Sequence, residues 1–205
     1  MGIRQVKPAV FFDRDGVLTA NVYYPQWDEW EAPMHIEDIT ILPGVIEALS
    51  LLKEANIPFF LISNQGAYAK GKTSLENLLA VKNTFNNYLL EHGITFMESF
   101  YSYTHPKGII PGFSGPSLER KPGTYFLHLA AATYSIDLSQ SWIIGDRDTD
   151  ILCGQHAGLK TILIADSSLD KKDKSLNPNY IVSVVKDAVT YILNQMESSV
   201  ITKNY

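Results

Sequence analysis

Four short stretches of this 205-residue chain, "AVFF" (9–12), "PFFLIS" (58–63), "SWIIG" (141–145) and "KTILIA" (160–165), are apolar nearly throughout. A strand with one face in water alternates apolar with polar, so strands of this kind must be covered on both faces. Between them lie helical patterns. "PGVIEALSLLKEANI" (43–57) carries Val45, Ile46, Leu49 and Leu52 at helical spacing, and residues 73–92 form a helix capped by Thr73 or Ser74 and ended by Gly93. "PGTYFLHLAAATYS" (122–135) and "DILCGQHAG" (150–158) are further helices, and 179–196 is a short strand followed by an amphipathic helix. "FMESFYSY" (96–103) adds another strand. The order predicts an α/β fold, with a central, mostly parallel sheet and helices on both faces. A single domain over 1–196 and a polar, frayed tail over 197–205 are expected.

Two segments interrupt the alternation. Residues 21–35, "NVYYPQWDEWEAPMH", are too long for a strand-to-helix turn and read as a flap over a site. Residues 104–120, "THPKGIIPGFSGPSLER", are loop by composition. A net charge of −5 argues against a nucleic-acid partner, because phosphate backbones select basic surfaces. No run has the roughly 18 apolar residues of a membrane span, and the N-terminus lacks a signal-peptide pattern. Cys153 is the only cysteine, so no intrachain disulfide can form. A cytoplasmic protein with no membrane partner is expected, with a monomer favoured.

In an open parallel sheet, ligands bind beyond the carboxyl ends of the strands. Here those ends are polar: Asp13 and Asp15 after the first strand, Ser63, Asn64 and Gln65 after the second, and Asp146, Asp148 and Asp150 after "WIIG". The loop after the third strand leads to Arg120 and Lys121. At about 4 Å and an effective dielectric near 20, each carboxylate pair repels by roughly 4 kcal/mol. A divalent cation with oxygen ligands resolves that repulsion, and Mg²⁺ is typical of such sites. Lys121 and Ser63 suit a bound anion such as phosphate.

Taken singly, each signal is ordinary. Asp-x-Asp-Gly is a common turn, Ser63 a common cap, and Arg147 and Asp148 a surface pair. A calcium loop starting at Asp13 needs glutamate at its twelfth position, where Tyr24 stands. His105, His128 and His156 lack metal-ligand spacing, and Cys153 sits on an apolar helix. The weight comes from four such signals falling at four strand ends.

Together, "FFDRDGVLT", "LISNQG", "RKPG" and "IIGDRDTD" resemble the four motifs of the haloacid dehalogenase (HAD) superfamily of phosphohydrolases. "DRDGVL", "SNQGAYAKG" and "RKPG" resemble its histidinol-phosphate and heptose-bisphosphate phosphatase branch. The resemblance implies a Rossmann-like fold with a minimal cap or none. It implies Asp13 as nucleophile, forming an aspartyl-phosphate, and Asp15 as general acid and then base. Mg²⁺ is then held by Asp13, the backbone carbonyl of Asp15, and Asp146, with Asp150 in support. Ser63 and Lys121 hold the phosphoryl oxygens, and Asn64, Gln65 and Arg120 contact substrate.

The branch usually carries a zinc loop of Cys-x-His and Cys-x-Cys before the Arg-Lys pair. Ser102, Thr104, Ser117 and Glu119 stand in that register, so no zinc is expected. Packing of Ile109, Ile110 and Phe113, together with the prolines, is expected to brace the loop instead. Tyr23, Tyr24, Trp27 and Trp30 either meet a substrate ring or pack the flap, packing being expected for at least two. The expected activity is Mg²⁺-dependent hydrolysis of a small phosphorylated metabolite, such as a heptose 1,7-bisphosphate. Histidinol phosphate and a nucleic-acid 3′-phosphate are alternative substrates. A receiver-like phospho-acceptor domain is the non-enzyme alternative, though it lacks the acid/base that Asp15 supplies.

Overall fold

A computed structural model describes residues 6–165 and 177–201. Six strands form one parallel sheet: β1 (Val10–Phe12), β4 (Phe59–Asn64), β5 (Glu98–Ser102), β6 (Trp142–Gly145), β7 (Lys160–Ile164) and β8 (Tyr180–Val182). Their spatial order is β5-β4-β1-β6-β7-β8. Five α-helices, α1 (Val45–Glu54), α2 (Leu75–Glu91), α3 (Tyr125–Tyr134), α4 (Asp148–His156) and α5 (Val185–Ile201), cover it.

The apolar runs are buried on both sides, as their composition requires. Val10, Phe12, Leu61 and Ile144 point to a core shared with Val45, Leu49 and Leu52 of α1, Phe85 of α2 and Val189 and Ile192 of α5. The intervening residues, Phe11, Phe60 and Ile143, meet Phe126, Leu127 and Ala130 of α3 and Cys153 of α4. Each large side chain so buried contributes about 1.5–3 kcal/mol, which fixes the sheet's register. Strand order reverses at β1, which pairs with β4 on one side and β6 on the other. A crevice therefore opens beyond the end of β1, where the paired aspartates lie.

Helix ends follow local chemistry. Ser74, not Thr73, caps α2, accepting from the Asn77 N–H at 3.1 Å. The C-terminal helix continues to Ile201, past residue 196 where the sequence pattern placed its end. No glycine or proline stands between 185 and 201 to stop it. Residues 202–205 of the expected tail lie outside the described residues. Among the described residues, no helix is long and apolar enough to cross a membrane.

The segment 21–35 contains an antiparallel hairpin, β2 (Val22–Tyr24) and β3 (Glu29–Glu31), separate from the main sheet. Tyr24 is buried; its hydroxyl donates to Asp38 Oδ2 at 2.6 Å and accepts from the Met34 N–H at 2.8 Å. Lys72 sits 4.9 Å from the centroid of the Trp27 ring. Those two aromatics pack the hairpin, while Tyr23 and Trp30 pair with each other at 5.5 Å on an exposed face. Lys72 also bridges Glu29 at 2.6 Å and Glu31 at 2.9 Å, and Lys70 pairs with Glu31.

Gly154 of α4 tests how tightly the layers fit. A Cβ there would lie 2.3 Å from Ile143 Cγ2 and 2.7 Å from Thr161 Cγ2. Alanine gains about 1 kcal/mol of helix propensity over glycine, but overpacking costs about 1–3 kcal/mol. Both obstructing atoms are stiff, β-branched side chains held in the sheet, so the clash dominates. Gly154→Ala should therefore lower the urea midpoint with an unchanged m-value; a raised midpoint would show that the layers can part without cost.

Candidate active site

The ends of β1, β4 and β6, with the loop that precedes α3, line a cleft of about 670 Å³. Asp13 follows β1 directly and its N–H is held by the Ile144 carbonyl at 2.9 Å. The chain then turns on itself: Gly16 N–H donates to Thr19 O at 2.7 Å, and Leu18 and Thr19 N–H to Arg14 O at 2.8 and 2.9 Å. Gly16 has φ +86°, and a Cβ there would fall 2.2 Å from Asp146 Oδ2, so both the turn and the close approach require glycine.

Lys121 is buried, and its ammonium has three partners. It donates to Ile62 O at 2.7 Å and lies 2.8 Å from Asp13 Oδ1 and 2.7 Å from Asp150 Oδ1. Burial alone would lower its pKa, but Asp13 and Asp150 outweigh that and raise it. The Lys121 backbone is clamped by Asn64, whose Nδ2 donates to Lys121 O and whose Oδ1 accepts from Lys121 N–H, both at 3.0 Å. Asn64, which lines the cleft, thus uses both ends of its amide to hold the Lys121 backbone.

Asp15 sits in a cage of donors. Arg14 Nε and Thr19 Oγ1 each donate to Oδ1 at 2.9 Å, while Gln65 Nε2 donates to Oδ2 at 2.6 Å and Ser63 Oγ lies at 3.4 Å. Gln65 Nε2 also donates to Ser63 Oγ at 2.8 Å. Thr19 and Arg14 were not singled out from the sequence; only the "DRDGVLT" spacing pointed to their neighbourhood.

Asp13, Asp146 and Asp150 present carboxylate oxygens within 4.8 Å of one another. Asp150 also accepts from the Arg147 N–H at 3.0 Å, tying the first turn of α4 to the cluster. Arg147 approaches Asp146 at 4.0 Å, where the sequence suggested a pair with Asp148. Burial raises Asp13 to about 7; Lys121 opposes the rise, and Asp150, Asp146 and Asp15 add to it. Three clustered carboxylates, one of them held far above its ordinary range, form a donor set suited to a hard divalent cation.

At the mouth, Arg120 Nη1 donates to Thr104 O at 3.0 Å, and Arg147 lies near enough to depress the Arg120 pKa further after burial. The loop 104–120 is braced mainly through its backbone. Ile109 and Ile110 N–H donate to Ala69 O at 2.7 and 3.3 Å, and His105 N–H to Phe113 O at 3.0 Å. Phe113 packs edge-on against Tyr68, with ring centroids 4.9 Å apart. Ile109 is 72% exposed, so its side chain is not the brace the sequence suggested, apart from its contact beside Gly71. The glycines and prolines prevent regular structure there, and its N–H groups are taken by Ala69 O and by carbonyls within the loop itself.

The sequence profile of the HAD-hydrolase-like family matches residues 118–188. Over 199 residues the chain is 30% identical to the D-glycero-D-manno-heptose-1,7-bisphosphate 7-phosphatase of Thermosynechococcus vestitus, covering 93% of this chain and 97% of that protein. It is 28% identical over 198 residues to the protein of the same name from Chlorobaculum tepidum, covering 92% and 96%. The crystal structure of the D,D-heptose 1,7-bisphosphate phosphatase of B. bronchiseptica, complexed with magnesium and phosphate, shares the fold. Its TM-score is 0.71 at 20% identity, with 92% of this chain and 99% of that chain covered.

The Asp13 environment sets a pH dependence of stability. Its folded pKa, about 7, lies above the ordinary 3.8, so between these values the folded state binds more protons than the unfolded one. That contribution is full below 3.8 and is lost as pH rises through about 7. Burial would raise Glu31, but Lys70 and Lys72 hold it at about 2, against an ordinary 4.5. Its opposite contribution is therefore constant above that range. The melting temperature of EDTA-treated protein should rise from about pH 8 to about pH 5, and Asp13→Asn should flatten the rise. A profile unchanged by the substitution would remove Asp13 as its source.

Proposed function

The chain belongs to the HAD-like phosphatases of the heptose-bisphosphate 7-phosphatase group, and from that premise we propose that it is a Mg²⁺-dependent phosphomonoesterase acting on a heptose 1,7-bisphosphate. The observation that carries the reading is the meeting of Asp13, Asp15 and Lys121, three buried charged side chains from two distant segments, in one cleft.

Asp13 attacks the phosphorus and forms the aspartyl-phosphate. Asp15 gives a proton to the leaving oxygen as the ester bond breaks, then takes one from the water that hydrolyses the intermediate. Lys121, fixed by Ile62 O and Asp150, offsets charge on the phosphoryl oxygens, with Ser63 beside it. Asp13, Asp146 and the backbone carbonyl of Asp15 are the residues that would hold Mg²⁺, with Asp150 in support. When bound, the cation supplies positive charge that favours ionised Asp13 and stabilises the phosphoryl oxygens.

Arg120 and Arg147 both line the cleft, at its mouth. Two guanidinium groups in one cleft, with Arg147 close enough to lower the proton affinity of Arg120, suit a second anionic group, which supports a bisphosphate. No zinc is part of the proposal. Ser102 Oγ bonds Thr104 Oγ1 at 3.0 Å, and His105 Nδ1 accepts from Lys107 N–H at 3.1 Å, which leaves these side chains tied to the protein.

Asp13→Asn should abolish hydrolysis of p-nitrophenyl phosphate and of heptose 1,7-bisphosphate while the protein still folds. EDTA should remove the activity and Mg²⁺ restore it. Wild-type rates in Asp13→Asn would overturn the nucleophile assignment. A faster turnover of histidinol phosphate than of the heptose would redirect the substrate assignment. Metal analysis should find no stoichiometric zinc, and one zinc per chain would require different ligands in the 102–119 loop.

A further inference from the structure

Arg14 is 1% exposed and has the largest fully buried side chain among the described residues. Its Nε donates to Asp15 Oδ1 at 2.9 Å, and its guanidinium carbon lies 5.9 Å from the Tyr101 ring centroid. Taking a guanidinium out of water is costly, and an apolar side chain of similar size fills such a space as well or better. Its contribution must then come from the neighbour it holds. Both neighbours in sequence are site aspartates, and the ion pair is with Asp15.

We propose that Arg14 is a positioning residue for Asp15, fixing Oδ1 behind the cleft wall so that Oδ2 is the oxygen that exchanges the proton with substrate. The two oxygens have different surroundings. Oδ1 is held by Arg14 and Thr19, both buried behind the wall, whereas Oδ2 is held by Gln65, which lines the cleft with Asp15. Arg14 is itself fixed, because its carbonyl accepts from Leu18 and Thr19 N–H in the turn after β1. As the ester P–O bond breaks, the proton on Oδ2 passes to the leaving oxygen. The same oxygen then removes a proton from the water that attacks the aspartyl-phosphate, which frees phosphate and regenerates both carboxyl groups. The proposal rests on Asp15 being the general acid.

The test exploits leaving groups. An alkoxide needs the proton and p-nitrophenolate does not. Because hydrolysis of the aspartyl-phosphate is common to both substrates, the comparison is made in kcat/KM, which reports only the steps up to its formation. Arg14→Met should lower it by about 30-fold on glycerol 3-phosphate and by less than about threefold on p-nitrophenyl phosphate. Arg14→Lys keeps the charge without the planar fork and should recover part of the loss. Asp15→Asn is the reference. If it shows the alkyl-selective loss and neither Arg14 variant does, Arg14 does not position Asp15. Equal losses on both substrates in Arg14→Met would mark a structural role and overturn the proposal. Should Arg14→Met not fold, Arg14→Lys decides by itself: a smaller loss of the same selectivity is expected, and none overturns the proposal. If Asp15→Asn lowers kcat/KM equally on both substrates, the acid assignment falls, and this inference with it.

Discussion

The Lys121 ammonium is the interaction around which the cleft is organised. Its position between Asp13 and Asp150 links the end of β1 to the first turn of α4, and its bond to Ile62 O links both to β4. Two parallel strands and the helix packed on them are thereby joined at their polar ends as well. Without that charge, the carboxylates would repel across a dry, low-dielectric space where the cost is greatest. The sheet brings the acids together, and the lysine lets them stay.

Around that charge the polar residues divide into two connected sets. Asn64 secures Lys121 through its backbone, while Gln65, Ser63, Thr19 and Arg14 secure Asp15 through its carboxylate. Side chains adjacent in a strand face opposite ways, so consecutive residues at the end of β4 can serve both sets. Precision then comes from hydrogen bonds between fixed elements, which a loop alone would not provide.

Much of this was legible in the sequence. Unbroken apolar runs gave parallel strands, and the strand-end aspartates gave the site, because both depend on periodicity. Less visible was what depends on reach. Nothing in the pattern says that Arg14 bends back to Asp15, since alternation alone sends it to the other face. Asn64 and Gln65 line the cleft as their strand-end place suggests, and what the pattern does not show is that their amides also meet Lys121 and Asp15. The helix past residue 196 was missed because polar residues there resemble a tail, whereas only a breaker ends a helix that is already nucleated. In the 104–120 loop the expected packing holds for Phe113 against Tyr68, but Ile109 is exposed and is anchored instead through its backbone N–H to Ala69 O.

The β2–β3 hairpin pairs with itself rather than with the sheet, and it is joined to the segment after β4 by Lys70 and Lys72 against Glu29 and Glu31 and by Tyr24 packed with Met34 and Ala67. Charge pairs of this kind tolerate changes of length and sequence that a packed core does not. The hairpin is thus a module that lines one side of the cleft through Trp30 and Glu31 and that can change while Asp13, Asp15 and Lys121 keep their positions. In evolutionary terms, the part of the cleft wall formed by the hairpin is held apart from the strand ends that carry the charged cluster.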